Sequence, residues 1–124
     1  RRADRQRVWV IQTRAGAGLS HFYASILSGL RAPQAAGWRS LSRASEQVDH
    51  LLDSLKPRLL IFDEFHSALR GRRQDVKAIF SFLRRIARVH DISPVLVGEI
   101  AVYDALHDTE EMGSRFDTIP VPRW

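Results

Sequence analysis

The stretch Arg58–Phe65, which reads RLLIFDEF, decides the fold of this 124-residue chain. Its apolar run Leu59–Phe62 is too short for a helix, so it predicts a buried β-strand. Two carboxylates, Asp63 and Glu64, follow that strand directly. Where a strand turns into a loop, both side chains can point to the carboxyl edge of a sheet.

Short apolar runs and amphipathic segments alternate along the rest of the chain. Further strands are predicted at Val8–Gln12, Pro94–Gly98 and Ile119–Val121. Apolar residues spaced by three and four predict helices over Leu19–Leu30, Leu41–Leu55 and Asp75–Val89, and a capping box of Asp108 and Glu111 predicts a further short helix. This alternation predicts an α/β fold, a three-layer sandwich with a parallel sheet, whose ligands bind at the carboxyl ends of the strands.

Composition excludes several classes of protein. The chain has no cysteine, which excludes disulfides and thiolate metal sites and fits a cytoplasmic location. No apolar run approaches the roughly 20 residues of a membrane span, and no secretory signal is present, so no membrane partner is expected. The formal net charge is +5, and all basic residues except Lys56 and Lys77 are arginines. The planar guanidinium group suits phosphate and carboxylate, although a GC-rich genome produces the same bias.

An Asp–Glu pair at the end of a buried strand is the Walker B arrangement of nucleotide hydrolases. In that chemistry Asp63 holds Mg²⁺ at the phosphates, directly or through water, and Glu64 activates the attacking water. The alternative is that two polar residues simply end a buried strand, and the pair alone does not decide between these interpretations.

A phosphate-binding loop is not evident in the sequence. The segment Thr13–Ser20 (TRAGAGLS) follows a strand, but Leu19 stands where a Walker A motif has its lysine. Only one helix, a loop and one more helix fit between Gly18 and Asp63, which is too little for the additional-strand P-loop ATPases. We therefore expect Val8–Gln12 to be the second strand of such a fold, with the phosphate loop upstream of residue 1; a degenerate Walker A is the alternative.

Five segments in this order resemble the TniB family of AAA+ ATPases, transposition accessory proteins related to TnsC. They are VWVIQ, HFYASILSGL, RLLIFDEFHSALRGRRQD, ISPVLVGE and MGSRFDTIPVPRW. The resemblance implies that residues 1–124 form part of an AAA+ P-loop NTPase domain, running from its second strand to the strand after the arginine finger. The phosphate loop and the lid would be absent, and ATP and Mg²⁺ would be the cofactors of the intact protein.

The resemblance also assigns roles by position. It implies that Asp63 assists Mg²⁺, that Glu64 is the catalytic base, and that Arg115 is an arginine finger acting on the nucleotide of a neighbouring subunit. Such a finger requires a homo-oligomer, a ring or a filament. Taken without the family, Arg115 equally fits a surface ion pair with Glu111 or Asp117.

Each of two residues near this site has two possible roles that the sequence does not decide between. Glu99 occupies the sensor 1 position, where AAA+ proteins usually have Asn or Thr, so it lies close to the nucleotide or instead caps a helix that starts near Ile100. This departure makes hydrolysis uncertain, and the fragment alone is expected to be inactive. His66 is either a relay between the acidic pair and the next helix or a half-buried histidine bonded to backbone.

Arginines cluster after the acidic pair. Gly71, Arg72 and Arg73 are predicted to form a basic turn directly after Arg70, and the following helix adds Arg84, Arg85 and Arg88. They would contact DNA phosphates without reading bases, or form a solvated face. The resemblance to the TniB family favours the DNA contact, and the leading hypothesis that it implies is an ATP-dependent regulator that oligomerises on DNA and recruits or activates a transposase. The alternatives are another AAA+ ATPase, such as a replication loader or a defence protein, and a DNA-binding scaffold without hydrolysis.

Overall fold

The structure is a computed structural model, and it describes residues 6–13, 18–31, 41–107, 116, 117, 119 and 121. Strands and helices alternate over most of these ranges, as the sequence predicts. In chain order they are β1 (Val8–Gln12), α1 (Leu19–Gly29), α2 (Leu41–Leu55), β2 (Leu59–Asp63), a 3₁₀ helix (Phe65–Arg70), α3 (Arg73–Val89), β3 (Ser93–Leu96) and α4 (Ile100–His107).

The three strands form one parallel sheet in the order β1-β2-β3, so the strand that carries the acidic pair is central. In the register between β1 and β2, Gln12 lies opposite Asp63. On the other side of β2, Phe62 lies opposite Leu96 of β3. The α/β class, the parallel sheet and the place of Val8–Gln12 beside the central strand are thereby confirmed.

One face of the sheet packs against helices. Along β1 and β2 the buried residues alternate with more exposed ones, and Ile11, Leu60 and Phe62 have no exposed surface. Both connections step across the sheet in the same direction, and right-handed crossovers of that kind place their helices on one face. In agreement with this, α1 packs on β1 and α3 packs on β3.

The opposite face of the sheet is apolar and accessible within the described ranges. Val8, Val10 and Val95 are 46%, 51% and 38% exposed, and Leu59 and Ile61 between them are half-buried. We call these five residues the open face. Since parallel sheets are usually covered on both sides, the open face is a surface that another segment or molecule can cover.

Aromatic rings fill the centre of the helix-covered side. Phe22 of α1 stacks on Phe62 at 5.6 Å between ring centroids and meets Phe82 of α3 edge-on at 5.8 Å. Phe65 packs edge-on against Phe62 at 6.3 Å, which anchors the chain immediately after the acidic pair. This cluster fixes the end of β2 relative to α1 and α3.

Several element bounds differ from the sequence predictions. Strand β2 continues to Asp63 because that residue pairs with Gln12. Strand β3 occupies Ser93–Leu96 rather than Pro94–Gly98, and α3 starts at Arg73, so this arginine is helical rather than part of the turn. The 3₁₀ helix was not predicted.

The end of the chain tests the remaining predictions only in part. The capping box of Asp108 and Glu111 lies outside the described residues, as does Pro120 of the fourth predicted strand. Ile119 and Val121, on either side of that proline, are exposed and belong to no strand. No helix in the described ranges is both long enough and apolar enough to cross a membrane.

Candidate functional site

Asp63 stands at the carboxyl end of the central strand and is held there by two donors. Its Oδ1 accepts a hydrogen bond from the backbone N–H of Glu64 at 2.9 Å. Its Oδ2 accepts one from Nε2 of Gln12, the last residue of β1, at 3.2 Å. Each carboxylate oxygen therefore has one fixed partner, and each keeps a lone pair for a further ligand.

Glu64 follows in a left-handed backbone conformation, with φ 53° and ψ 42°. This conformation ends the strand abruptly and turns the chain into the 3₁₀ helix that starts at Phe65. Residues other than glycine rarely adopt it, because Cβ crowds the following carbonyl oxygen. The Glu64 side chain is exposed, so the carboxylate beside Asp63 is accessible to solvent or to a ligand.

The segment after Glu64 is bonded to the end of β3. The backbone N–H of Phe65 donates to the Val97 carbonyl at 2.8 Å, and the Val97 N–H donates to the Phe62 carbonyl at 3.0 Å. His66 follows Phe65, and its Nδ1 accepts a hydrogen bond from the Glu99 N–H at 3.3 Å. His66 thus joins the acidic pair's loop to the loop after β3 through a backbone group, which favours the second of its two predicted roles.

Gly98 permits this close approach. A Cβ at position 98 would lie 2.7 Å from Cγ2 of Val102 and 3.1 Å from the backbone nitrogen of His66. The first distance is too short for a real contact and the second is unusually tight, so a side chain at this position requires a shift of α4 or of the 3₁₀ helix. From the sequence, Gly98 was predicted only to end a strand, and its place in this contact was not predicted.

Glu99 lies at the start of α4, on the same edge of the sheet as Asp63. Its side chain is exposed, and its carbonyl accepts the Val102 N–H at 2.9 Å. Helix α4 begins at Ile100, so Glu99 occupies the helix-capping position that was one of its two predicted roles. Its contact with a nucleotide, the other role, stays a prediction.

The basic turn lies beside the N-terminus of α1. Arg70 ends the 3₁₀ helix, Arg72 precedes α3, and all three arginines that surround Gly71 are exposed. A Cβ on Gly71 would lie 3.0 Å from the backbone nitrogen of Gly18, so the turn and the start of α1 touch. Arg72 also contacts Asp75 at 3.5 Å, a weak surface pair that leaves its guanidinium accessible.

Arg85 does not join the basic region that the sequence predicts. Its Nη1 contacts Oδ1 of Asp49 on α2 at 2.7 Å. Its guanidinium carbon, Cζ, lies over the Phe82 ring, 5.5 Å from the ring centroid. His90, at the end of α3, contacts the same Asp49 oxygen at 3.2 Å. These contacts join Arg85 to Asp49 of α2, so its charge is already compensated.

The donor set at the carboxyl edge fits a magnesium ion bound mainly through a nucleotide. Mg²⁺ in such sites takes one or two carboxylates together with phosphate oxygens and water. Asp63 supplies an oriented carboxylate, and the buried hydroxyl of Thr13, beside Gln12, has no hydrogen-bond partner in the described part of the chain. The described residues form no group of three or more metal-ligating side chains. Arg115, the predicted finger, lies outside the described ranges.

A parallel α/β sheet whose central strand ends in an Asp–Glu pair is compatible with part of a P-loop NTPase core. The family model described as "Bacterial TniB protein" matches residues 1–124. The chain therefore belongs to the bacterial TniB family. Membership of this family associates the chain with transposition. Comparison with curated proteins gives no match.

Proposed function

We propose that this chain is the Walker B-bearing part of an AAA+ ATPase that regulates DNA transposition. In this proposal the intact protein binds ATP and Mg²⁺, oligomerises on DNA, and recruits or activates a transposase. The observation that carries the proposal is the oriented Asp63 carboxylate with the exposed Glu64 beside it, at the end of the central strand of a TniB chain.

The two acids differ in a way that suits their proposed roles. Asp63 is half-buried and has a donor on each oxygen, whereas Glu64 is exposed. A metal ligand benefits from fixed orientation, and Asp63 would hold Mg²⁺, which neutralises phosphate charge when bound. A general base needs access to the attacking water, and the exposed Glu64 carboxylate provides that access.

Replacement of Glu64 by glutamine in the full-length protein tests the enzymatic part of the proposal. The amide is nearly isosteric but cannot accept a proton, so ATP hydrolysis should fall by about 10²- to 10⁴-fold while ATP binding is retained. Glu46→Gln, on the exposed side of α2, is the matched control and should leave hydrolysis unchanged. If Glu64→Gln hydrolyses ATP as fast as the wild type, Glu64 is not the catalytic base.

A second candidate function is a DNA-bound scaffold that no longer hydrolyses ATP. The observation that favours it is Glu99, a carboxylate at the position where an uncharged polar residue usually contacts the γ-phosphate. Full-length protein that assembles on DNA, with no hydrolysis above the Glu64→Gln background, would identify the scaffold. Hydrolysis above that background would exclude it.

The proposed DNA contact uses the exposed basic turn, Arg70, Arg72 and Arg73, with Lys77 and Arg88 further along α3. Phosphate contacts release counterions, so log affinity falls linearly with log salt concentration. Each lost contact makes this negative slope shallower by about 0.9. The Arg72→Ala/Arg73→Ala double variant should therefore make that slope shallower by almost two.

A charge-matched control separates this contact from a general loss of positive charge. Arg7 and Arg58 are exposed and lie at the opposite, amino edge of the sheet. An Arg7→Ala/Arg58→Ala variant should keep the original slope. If both double variants change the slope equally, the basic turn is not the DNA surface.

A further inference from the structure

Gln12 makes the one side-chain contact that reaches Asp63 from another strand among the described residues. It is the last residue of β1 and lies directly opposite Asp63 in the register of the sheet. Its Nε2 donates to Oδ2 of Asp63 at 3.2 Å. Because the two residues are 51 positions apart, the contact exists only when β1 and β2 are correctly paired.

The chemistry of this donor suits a carboxylate that has to attract a cation. A lysine or arginine at position 12 would neutralise Asp63 and compete with a divalent ion for it. The amide of Gln12 is uncharged, so it fixes the direction of the carboxylate and leaves its full negative charge available. The Glu64 N–H on the other oxygen has the same effect.

Because Gln12 is exposed, its hydrogen bond is expected to affect the orientation of the Asp63 carboxylate more than the stability of the fold. An exposed hydrogen bond between two side chains competes with water, so its net contribution to folding is small. In the structure the bond nevertheless gives Oδ2 of Asp63 a partner, as the Glu64 N–H does for Oδ1. A change at position 12 should therefore affect metal binding more than folding.

We propose that Gln12 is a positioning residue, which orients Asp63 for a divalent cation bound with the nucleotide. This inference rests on the proposed ATPase site and adds to it a residue on the neighbouring strand. Residues that orient metal ligands change metal affinity by about tenfold or more when they are replaced. An effect of that size is measurable without any turnover.

The test measures binding of a fluorescent ATP analogue by the full-length protein while Mn²⁺ is titrated. Gln12→Leu removes the donor and should raise the half-saturating Mn²⁺ concentration by about tenfold, with restoration at high Mn²⁺. Gln12→Lys should raise it further, because the ammonium group competes for Asp63. Gln74→Leu, at an exposed position of α3, is the matched control and should behave like the wild type.

Several outcomes would overturn the inference. Urea denaturation accompanies the titration, because a loss of stability in Gln12→Leu also weakens metal binding. A metal shift that disappears after correction for the unfolded fraction counts against a positioning role. An unchanged half-saturating concentration in Gln12→Leu, while the wild type binds nucleotide with Mn²⁺, refutes this inference alone. Absence of metal-dependent nucleotide binding in the wild type refutes the proposed function as well.

Discussion

The left-handed conformation of Glu64 predicts that glycine at this position stabilises the protein relative to alanine. An L-residue pays about 1–2 kcal/mol to adopt this conformation, because its Cβ meets the following carbonyl oxygen. Glycine avoids that contact but loses about 0.5–1 kcal/mol more backbone entropy on folding. The difference leaves Glu64→Gly more stable than Glu64→Ala by about 0.5–1 kcal/mol. Both variants remove the carboxylate, so the difference between their free energies of unfolding reports on the backbone conformation alone.

Urea denaturation of the full-length protein measures this difference. Glu46, in the exposed part of α2, supplies a control of opposite sign, because glycine in a helix is less stable than alanine by about 1 kcal/mol. Lys56 supplies a control of the same sign: it follows α2 with φ 48°, and its N–H donates to the Leu52 carbonyl at 2.9 Å. Glycine should exceed alanine in stability at positions 56 and 64, and alanine should exceed glycine at position 46.

The reasoning is refuted if alanine equals or exceeds glycine at position 64 while the control at position 56 behaves as expected. Glu64 would then not be strained in the folded protein. If the expected order is found, the glutamate is retained at a cost in stability. That pattern is typical of residues kept for function.

Three further substitutions test the packing around the site, each by urea denaturation. Gly98→Ala should destabilise the protein by about 1–3 kcal/mol, because the new methyl group meets Val102 and the 3₁₀ helix; an unchanged midpoint would show that α4 can move aside. Leu83→Ala, at a site with no exposed surface, should cost about 2–5 kcal/mol, and a cost below 1 kcal/mol would place Leu83 outside the core. Asp49→Asn should cost about 1 kcal/mol through loss of the Arg85 pair, less in high salt, and a cost independent of salt would contradict an electrostatic contribution.

Local sequence patterns were sufficient to predict most of the elements. The bounds of β1 and α2 agree with the predictions, because β1 is a short run rich in β-branched and aromatic residues and the apolar residues of α2 recur at the period of a helix. The acidic pair was also placed at the correct edge. A strand followed directly by Asp63 and Glu64 leaves little freedom for where the two residues lie.

The contacts that orient the site could not be predicted in the same way. The bonds from Gln12 to Asp63 and from Glu99 to His66 join residues 51 and 33 positions apart, and they depend on strand register. Glutamate has no preference for the left-handed region, so the conformation of Glu64 is imposed by tertiary structure. A polar residue at the end of an apolar strand was the only signal for Gln12.

Charge patterns were less informative than apolar ones. Arg85 was grouped with the basic region, yet in the fold it pairs with Asp49 of α2, which is 36 positions away in the sequence. Arg72 and Arg73 are exposed, as the charge pattern predicts, but Arg73 belongs to α3 rather than to the turn. A cluster of arginines in a sequence therefore predicts a charged surface only after the acidic residues of neighbouring helices are known.

The open face has a consequence for how the protein can be kept in solution. Its five branched apolar side chains lie side by side on parallel strands, so uncovered copies of the sheet can adhere to one another. A segment or molecule that covers Val10, Ile61 and Val95 would prevent this adhesion. The choice of boundaries for recombinant production is thus governed by this surface as much as by the acidic residues at the edge of the sheet.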